Sequence, residues 1–190
     1  MARLAESARE VTEIARLYHP EQTTLYLGRA AREENVKGNP ALATARRLHF
    51  ATHGLISASH PQRSALALTF DNDPREDGLL QMWEIFNLNL QAELVTLSAC
   101  QTGLGQELTG EGIVGLARAF MYAGAPSVVV SLWNVTDRST AELMVRFHQR
   151  LDCAPDKAEA LRQAKLELMR NPRYASPYYW APFVLIGEAK

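Results

Sequence analysis

The sequence predicts an α/β fold in which a mostly parallel sheet is flanked by helices. Two observations support this prediction: short apolar runs recur along the chain, and segments with helical patterns lie between them. The runs are candidate strands, at residues 24–28, 47–51, 65–70, 94–99, 127–133 and 183–186. Strands that alternate with helices of these lengths favour parallel pairing, because the chain must cross over between parallel strands.

The helices are predicted from apolar spacing and from start signals. Residues 4–18 place apolar side chains at helical spacing, which indicates an amphipathic helix that covers one face of the sheet. Residues 112–122 carry a single apolar stripe, and Gly124 is expected to end that helix. Two later helices are expected to begin at Ser139 and Asp156, because each has a glutamate three positions on, as in a capping box.

Length and composition favour one soluble globular domain. The chain has 190 residues, of which 47% are hydrophobic and 22% are charged. The formal net charge is -1, with no basic block, so direct binding of nucleic acid is not expected. The sequence also lacks the run of roughly 18 apolar residues that a membrane helix needs, and charges interrupt its first residues where a secretory signal would be apolar.

Cysteine usage favours a reducing compartment. Cys100 and Cys153 are the two cysteines of the chain, and they lie far apart in different local settings. A disulfide framework is therefore not expected, and we predict a cytoplasmic location.

Two apolar runs end in residues that can carry chemistry. His53, followed by Gly54, comes after the run that begins at residue 47, and Cys100 comes after the run at 94–99. If both runs are neighbouring parallel strands, both residues lie at the carboxyl edge of the sheet, where ligand sites collect. An imidazole within reach of a thiol gives it thiolate character. The backbone N–H groups of Gly54 and Cys100 are candidate oxyanion donors.

These residues also allow other interpretations. A cysteine after an apolar strand is often a small buried hydrophobe, and a histidine beside glycine can end a turn. The glycines at 103, 105 and 110 do not match the dinucleotide fingerprint, and the serine-hydrolase elbow, the phosphate loop and the C-x-x-C motif are absent from the sequence. The five histidines lack metal-ligand spacing. We therefore expect neither a cofactor nor a metal.

Several segments together resemble one protein family. The runs FATHG at 50–54 and LSACQTG at 97–103 resemble the two signature motifs of CHAT domains, which are caspase-like modules often fused to TPR repeats. Residues 110–120, 123–125 and 131–137 resemble the same family in the same order, and the last segment resembles separase as well. The resemblance extends over roughly residues 20–187.

The resemblance implies a caspase-like three-layer sandwich with a central mostly parallel sheet flanked by helices. It implies a cysteine endopeptidase that needs no cofactor, with His53 and Cys100 as the catalytic dyad, a specific protein or peptide substrate, and no membrane partner. It also implies gating by a partner or by a fused sensor such as TPR repeats, in cis or in trans. The alternatives are a catalytically silent interaction module of the same fold, or a cysteine hydrolase of small amides.

One departure from the family concerns the amino end. CHAT domains usually have another strand and helix before the part that corresponds to Thr24, whereas here a single predicted helix, at residues 4–18, precedes it. We therefore expect one CHAT domain over residues 1–190, truncated on its N-terminal side.

A substrate pocket is predicted from strand parity and from the segment similar to separase. Alternate residues share one face of a strand, so Ser98 should flank Cys100. Asp137 follows another strand and should emerge at the same edge, although it could instead cap the helix expected near Ser139. The separase resemblance implies an acidic floor at Asp137 with Trp133 as an apolar wall, and hence a preference for Arg or Lys before the cut.

Overall fold

The computed structural model describes residues 4–57, 59–70, 74–98, 100–101 and 111–190, and for Cys100, Gln101 and Glu111 it describes the backbone alone. The α-helices of this part of the chain are α1 Ser7–Ala15, α2 Glu34–Lys37, α3 Pro40–Ala43, α4 Met82–Ile85, α5 Glu111–Tyr122, α6 Asp137–Leu151 and α7 Lys157–Met169. The strands are β1 Arg47–Phe50, β2 His53–Leu55, β3 Ala65–Ala67, β4 Leu79–Gln81, β5 Leu94–Leu97, β6 Cys100–Gln101, β7 Ser127–Ser131 and β8 Phe183–Gly187. Short 3₁₀ turns lie at Pro20–Gln22, Gly28–Ala30, Pro61–Arg63, Pro172–Tyr174 and Pro177–Tyr179.

A central sheet confirms the predicted architecture. Its order is β1-β5-β7-β8. The pairs β1–β5 and β5–β7 are parallel, and β8 lies antiparallel to β7 at the edge. All five residues of β7 are buried, which is typical of a strand covered on both faces.

Helices cover both faces of this sheet, so the fold is a three-layer α/β sandwich. On one face Val128 and Val130 belong to the same core as Phe120 of α5. On the other face Val129 belongs to a core with Phe147 of α6, to which α7 also contributes. Phe120 and Phe147 are fully buried, and truncating such a side chain to Ala typically costs about 3–5 kcal/mol. None of the helices that the structure describes has the length and apolar character that a bilayer span requires.

A second, smaller sheet lies beyond the carboxyl ends of β1 and β5. Its order is β4-β3-β2-β6, with β2 and β3 antiparallel, β3 and β4 antiparallel, and β2 and β6 parallel. The sequence did not predict β2, β4 or β6, because segments of two or three residues are too short to show a period.

Some predicted elements differ from the structure. The strand predicted at 24–28 is wrong: Leu25 and Leu27 are each about two-fifths exposed, no strand pairing is described there, and Gly28–Ala30 forms a 3₁₀ turn. The helix predicted at 4–18 is shorter, Ser7–Ala15. The predicted cap at Asp156 is confirmed, since its side chain accepts a hydrogen bond from the backbone N–H of Glu159 at 2.8 Å.

The end of α5 depends on a glycine, as predicted. Gly124 has φ +119, a conformation that side-chain-bearing residues rarely adopt. A Cβ built at this residue would lie 2.2 Å from the carbonyl oxygen of Leu90. The backbone N–H of Leu90 in turn donates to the carbonyl of Ala123 at 2.7 Å, so the two segments are held in close contact. This approach directs the chain from α5 into β7.

We expect Gly124→Ala to destabilise the fold by more than about 2 kcal/mol, because backbone strain and a backbone clash act together. Gly28→Ala is the matched control: Gly28 also has a positive φ, +53, but a Cβ there would meet nothing within 4 Å. Its cost should stay near 1 kcal/mol. Urea unfolding of both variants measures the difference, and equal losses would contradict the role of the Leu90 contact.

Candidate active site

Two strands of the central sheet are each followed, after a short break, by a strand of the second sheet. Each of these following strands begins at a predicted catalytic residue. β1 ends at Phe50 and the chain re-enters a sheet at His53, the first residue of β2. β5 ends at Leu97 and the chain re-enters at Cys100, the first residue of β6. The expectation that His53 and Cys100 end strands of the central sheet is therefore wrong in detail, since each begins a new strand past the carboxyl edge.

The structure pairs the backbones of these two residues. His53 lies opposite Cys100 in the parallel pair β2–β6. In this pair and in β1–β5, each residue faces the residue 47 positions further along the chain, so the register is kept across the break. The backbone N–H of Ser98 donates to the carbonyl of Phe50 at 2.9 Å within the break. Adjacent strands lie about 4.8 Å apart, which brings the candidate base and nucleophile to neighbouring positions.

A hydroxyl fixes the chain just before His53. The Oγ1 of Thr52 donates a hydrogen bond to the carbonyl of Ala67 on β3. Ala67 is also the residue that pairs with His53 in the antiparallel pair β2–β3. Thr52 thus ties the start of β2 to its neighbour, a role that the sequence reasoning missed. The only available signal was the position of a threonine within the FATHG run.

The predicted oxyanion donors lie on the two paired strands. Gly54 is a buried residue of β2, paired with Leu66 on β3 and with Gln101 on β6. Cys100, the other predicted donor, begins β6. The glycine-rich segment at 102–110 lies outside the described residues.

Two of the predicted pocket residues have different environments. Ser98 is 4% exposed, and its Oγ has no hydrogen-bond partner among the described residues. Trp133 is 38% exposed, and its indole N–H donates to the carbonyl of Tyr178 at 3.1 Å. The hydrogen bond fixes one edge of the ring while more than a third of the residue faces solvent.

Asp137, the third predicted pocket residue, is the first residue of α6, and Thr136 is its N-cap. The alternative in which Asp137 caps a helix that starts near Ser139 is therefore wrong, as is the start at Ser139 itself. Ser139 is buried inside the first turn, where its Oγ donates to the carbonyl of Thr136 at 3.0 Å. A carboxylate in the first turn is favoured by the helix dipole, so Asp137 is stabilised there without serving as the cap.

A separate cluster of three carboxylates already holds a cation from the chain. Glu33, Glu76 and Glu84 bring one oxygen each within 4.8 Å of one another. The ammonium of Lys37 lies among them, 2.9 Å from Glu33 and 2.5 Å from Glu76, and it also bonds Glu84. Burial works against the charged form, but hydrogen bonds to these carboxylates raise the pKa of Lys37 above its usual value. The ammonium occupies the position that a metal ion would need.

Comparison with known proteins identifies the family. The family model described as CHAT domain matches residues 1–188. The chain belongs to the CHAT family. CHAT domains are caspase-like, which agrees with the three-layer sandwich.

Two curated relatives share the same name, Tetratricopeptide repeat protein 28. The mouse protein is 30% identical over 154 residues, which cover 81% of this chain and 6% of the relative. The human protein is 28% identical over 193 residues, which cover 85% of this chain and 8% of the relative. The CHAT chain thus spans less than a tenth of the length of these relatives.

We expect Thr52→Val, which keeps the shape of the side chain but removes the donor to Ala67, to lower the free energy of unfolding by about 1 kcal/mol and to speed amide exchange in β2. Thr44→Val is the matched control, because the Thr44 hydroxyl is exposed and makes only a long, 3.4 Å bond to Ala41. Denaturant unfolding and hydrogen exchange measure both effects. Indistinguishable variants would refute the positioning role of Thr52.

Proposed function

We propose that this CHAT domain is a cysteine endopeptidase in which Cys100 is the nucleophile and His53 is the general base. The pairing of His53 with Cys100 in β2–β6 is the observation that carries the proposal. Parallel strands in register hold the two residues at neighbouring positions, and helices cover both faces of the central sheet behind them. A dyad needs this kind of rigid support, because its two groups must stay within hydrogen-bond reach.

The proposed reaction proceeds in two steps. His53 takes the proton of the Cys100 thiol as the sulfur attacks the carbonyl carbon, and the N–H groups of Gly54 and Cys100 hold the oxyanion. The C–N bond then breaks, and the imidazolium gives its proton to the leaving amine. In the second step His53 deprotonates a water that attacks the thioester, which releases the acid and restores the thiol.

We further propose that the peptidase is gated by a TPR segment in cis or in trans and acts in the cytoplasm. The name of the two relatives, Tetratricopeptide repeat protein 28, supports the TPR association. A thiol nucleophile must stay reduced, which favours a reducing compartment. Gating fits a peptidase that shares a compartment with its own potential substrates, because unregulated cleavage would damage them.

Thiol labelling tests the dyad directly. We expect iodoacetamide to alkylate Cys100 at least tenfold faster than Cys153 near neutral pH, although Cys153 is exposed. His53→Ala should slow labelling of Cys100 and leave Cys153 unchanged, because only Cys100 uses His53 as a base. His60→Ala, which removes an exposed histidine, is the matched control. Mass spectrometry ranks the sites, and equal rates that do not respond to His53→Ala would exclude the dyad.

Labelling of Cys100 also distinguishes a gated peptidase from a domain without enzymatic activity. An electrophilic peptide probe should label Cys100 faster in the longer protein bound to its trigger than in the isolated 190-residue chain. Equal labelling of the two would contradict gating. If Cys100 reacts no faster than Cys153 with the probe and with iodoacetamide, the alternative of a catalytically silent interaction module is favoured.

Specificity is tested at Asp137. We propose that its carboxylate pairs with Arg or Lys before the cut while Trp133 packs on the methylenes and Ser98 lines the pocket. Removing one partner of a desolvated charge pair costs about 2–5 kcal/mol, so Asp137→Asn should sharply reduce cleavage after Arg and spare Cys100 alkylation. Glu21→Gln, at an exposed position, is the control. A peptide-library profile unchanged by Asp137→Asn, or one without a gain for Arg or Lys, would rule out this pocket.

A further inference from the structure

A buried chain of polar side chains joins α1, β1 and α6 on the face of the sheet opposite α5. Its members are Arg47, Tyr18, His148, His49 and Glu10, which we call the His49–His148 chain. Arg47 Nη1 lies 3.1 Å from Tyr18 Oη, which lies 2.9 Å from His148 Nδ1. His148 Nε2 lies 3.2 Å from His49 Nδ1, and His49 Nε2 lies 2.7 Å from Glu10 Oε1.

The chain is closed to solvent at its centre. Glu10 and His148 are each 3% exposed, and the His49 side chain is 10% exposed. The ring centroids of His49 and His148 are 5.1 Å apart, in an edge-to-face arrangement. The proposed dyad uses none of these groups, although His49 lies on the strand that leads to His53.

Other charged groups meet the chain at its Arg47 end. Arg47 also donates to Glu93, just before β5, at 3.0 Å and to Asp152, just after α6, at 2.6 Å. Glu93 accepts a further bond from Arg46 at 2.7 Å. From β5, the residue in register with His49 is the uncharged Thr96.

Donors and acceptors can be matched along the whole chain when both imidazoles are neutral. Arg47 can only donate, so Tyr18 Oη accepts from it and donates its own hydrogen bond to His148 Nδ1. His148 then carries its hydrogen on Nε2 and donates to His49 Nδ1. His49 in turn donates from Nε2 to the Glu10 carboxylate, so every ring nitrogen of the pair has a partner.

The pair also accommodates one added proton. An imidazolium donates from both ring nitrogens. With the proton on His148, His49 keeps its tautomer and accepts at Nδ1; with the proton on His49, His148 moves its hydrogen to Nδ1 and accepts at Nε2. In both states Tyr18 Oη accepts from His148 Nδ1. A second proton has no such solution, because His148 Nε2 and His49 Nδ1 would then face each other as two N–H donors 3.2 Å apart. Burial, and then the charges of His49 and Arg47, lower the pKa of His148 well below its usual value, which agrees with this limit.

We propose that the His49–His148 chain is a proton-operated latch that holds α1 on the sheet and opens when the histidine pair takes a second proton. Opening lets His148 titrate at its ordinary pKa of about 6.5. A histidine whose folded pKa is lowered contributes stability that is complete above that unfolded value and is lost as the pH falls below it. The proposal does not depend on the proposed peptidase activity.

Hydrogen exchange of the full chain between pH 7.5 and 5.0 tests the latch. Opening takes up one proton, so protection factors of the Ser7–Ala15 amides should fall about tenfold per pH unit below about 6.5. The protection factors of the α7 amides should not change over this pH range. The His148→Gln variant keeps a hydrogen-bond donor near His49, but its glutamine side chain does not titrate. The protection factors of the α1 amides in this variant should therefore change less than threefold between pH 7.5 and 5.0. His60→Gln, at an exposed position, should behave like the unmodified chain.

An unmodified chain whose α1 protection is flat with pH, or matches that of His148→Gln, would overturn the latch. Should His148→Gln fail to fold, ¹⁵N resonances of the imidazoles in the unmodified chain decide the question. The latch requires that the pair holds at most one added proton while α1 is protected, and that the second proton arrives together with the loss of protection. Two imidazolium rings at pH 5.0 beneath a protected α1 would refute it.

Discussion

The parallel pairing of β1 with β5 determines where the candidate catalytic residues lie. Both strands break off after equal lengths and resume in the same register, so a shift of one residue in β1–β5 would also displace His53 from Cys100. The pairing is specified by burial on both faces. Leu48, Val95 and Leu97 pack on the α5 side, and Leu94 packs on the side of α6 and α7. Core packing and site geometry are therefore set by one register.

The fold was predictable from the sequence where a pattern was long enough to have a period. Apolar spacing and glycine or β-branched content predicted two such elements, the helix at Glu111–Tyr122 and the buried strand at Ser127–Ser131. The extended run at 24–28 shows the limit of this reasoning: its composition fits a strand, but a strand also needs a paired neighbour, which sequence composition does not supply.

The candidate site was predictable in its residue types and less so in its construction. His53 and Cys100 were proposed because each follows an apolar run and lies in a segment that resembles a CHAT signature motif, whereas the break in both strands and the second sheet were not predicted. These depend on pairings such as Gly54 with Leu66, between residues 12 positions apart in a segment without alternation. The start of α6 was missed for a local reason: Ser139 has a glutamate three positions on, as in a capping box, whereas the N-cap is Thr136, whose side chain makes no capping hydrogen bond.

The contacts of α1 explain why a polar chain can control it. The buried residues of α1 are Glu10 and Ile14, whereas α6 buries seven residues, among them Leu143, Met144 and Phe147. One buried isoleucine contributes only about 1.5–3 kcal/mol, so the hydrogen bonds of Glu10 and of the adjacent Tyr18 make up part of the attachment of α1. A helix with so few buried residues detaches at lower cost than α6 or α7, and its attachment responds to protons because Glu10 and Tyr18 are hydrogen-bonded to His49 and His148.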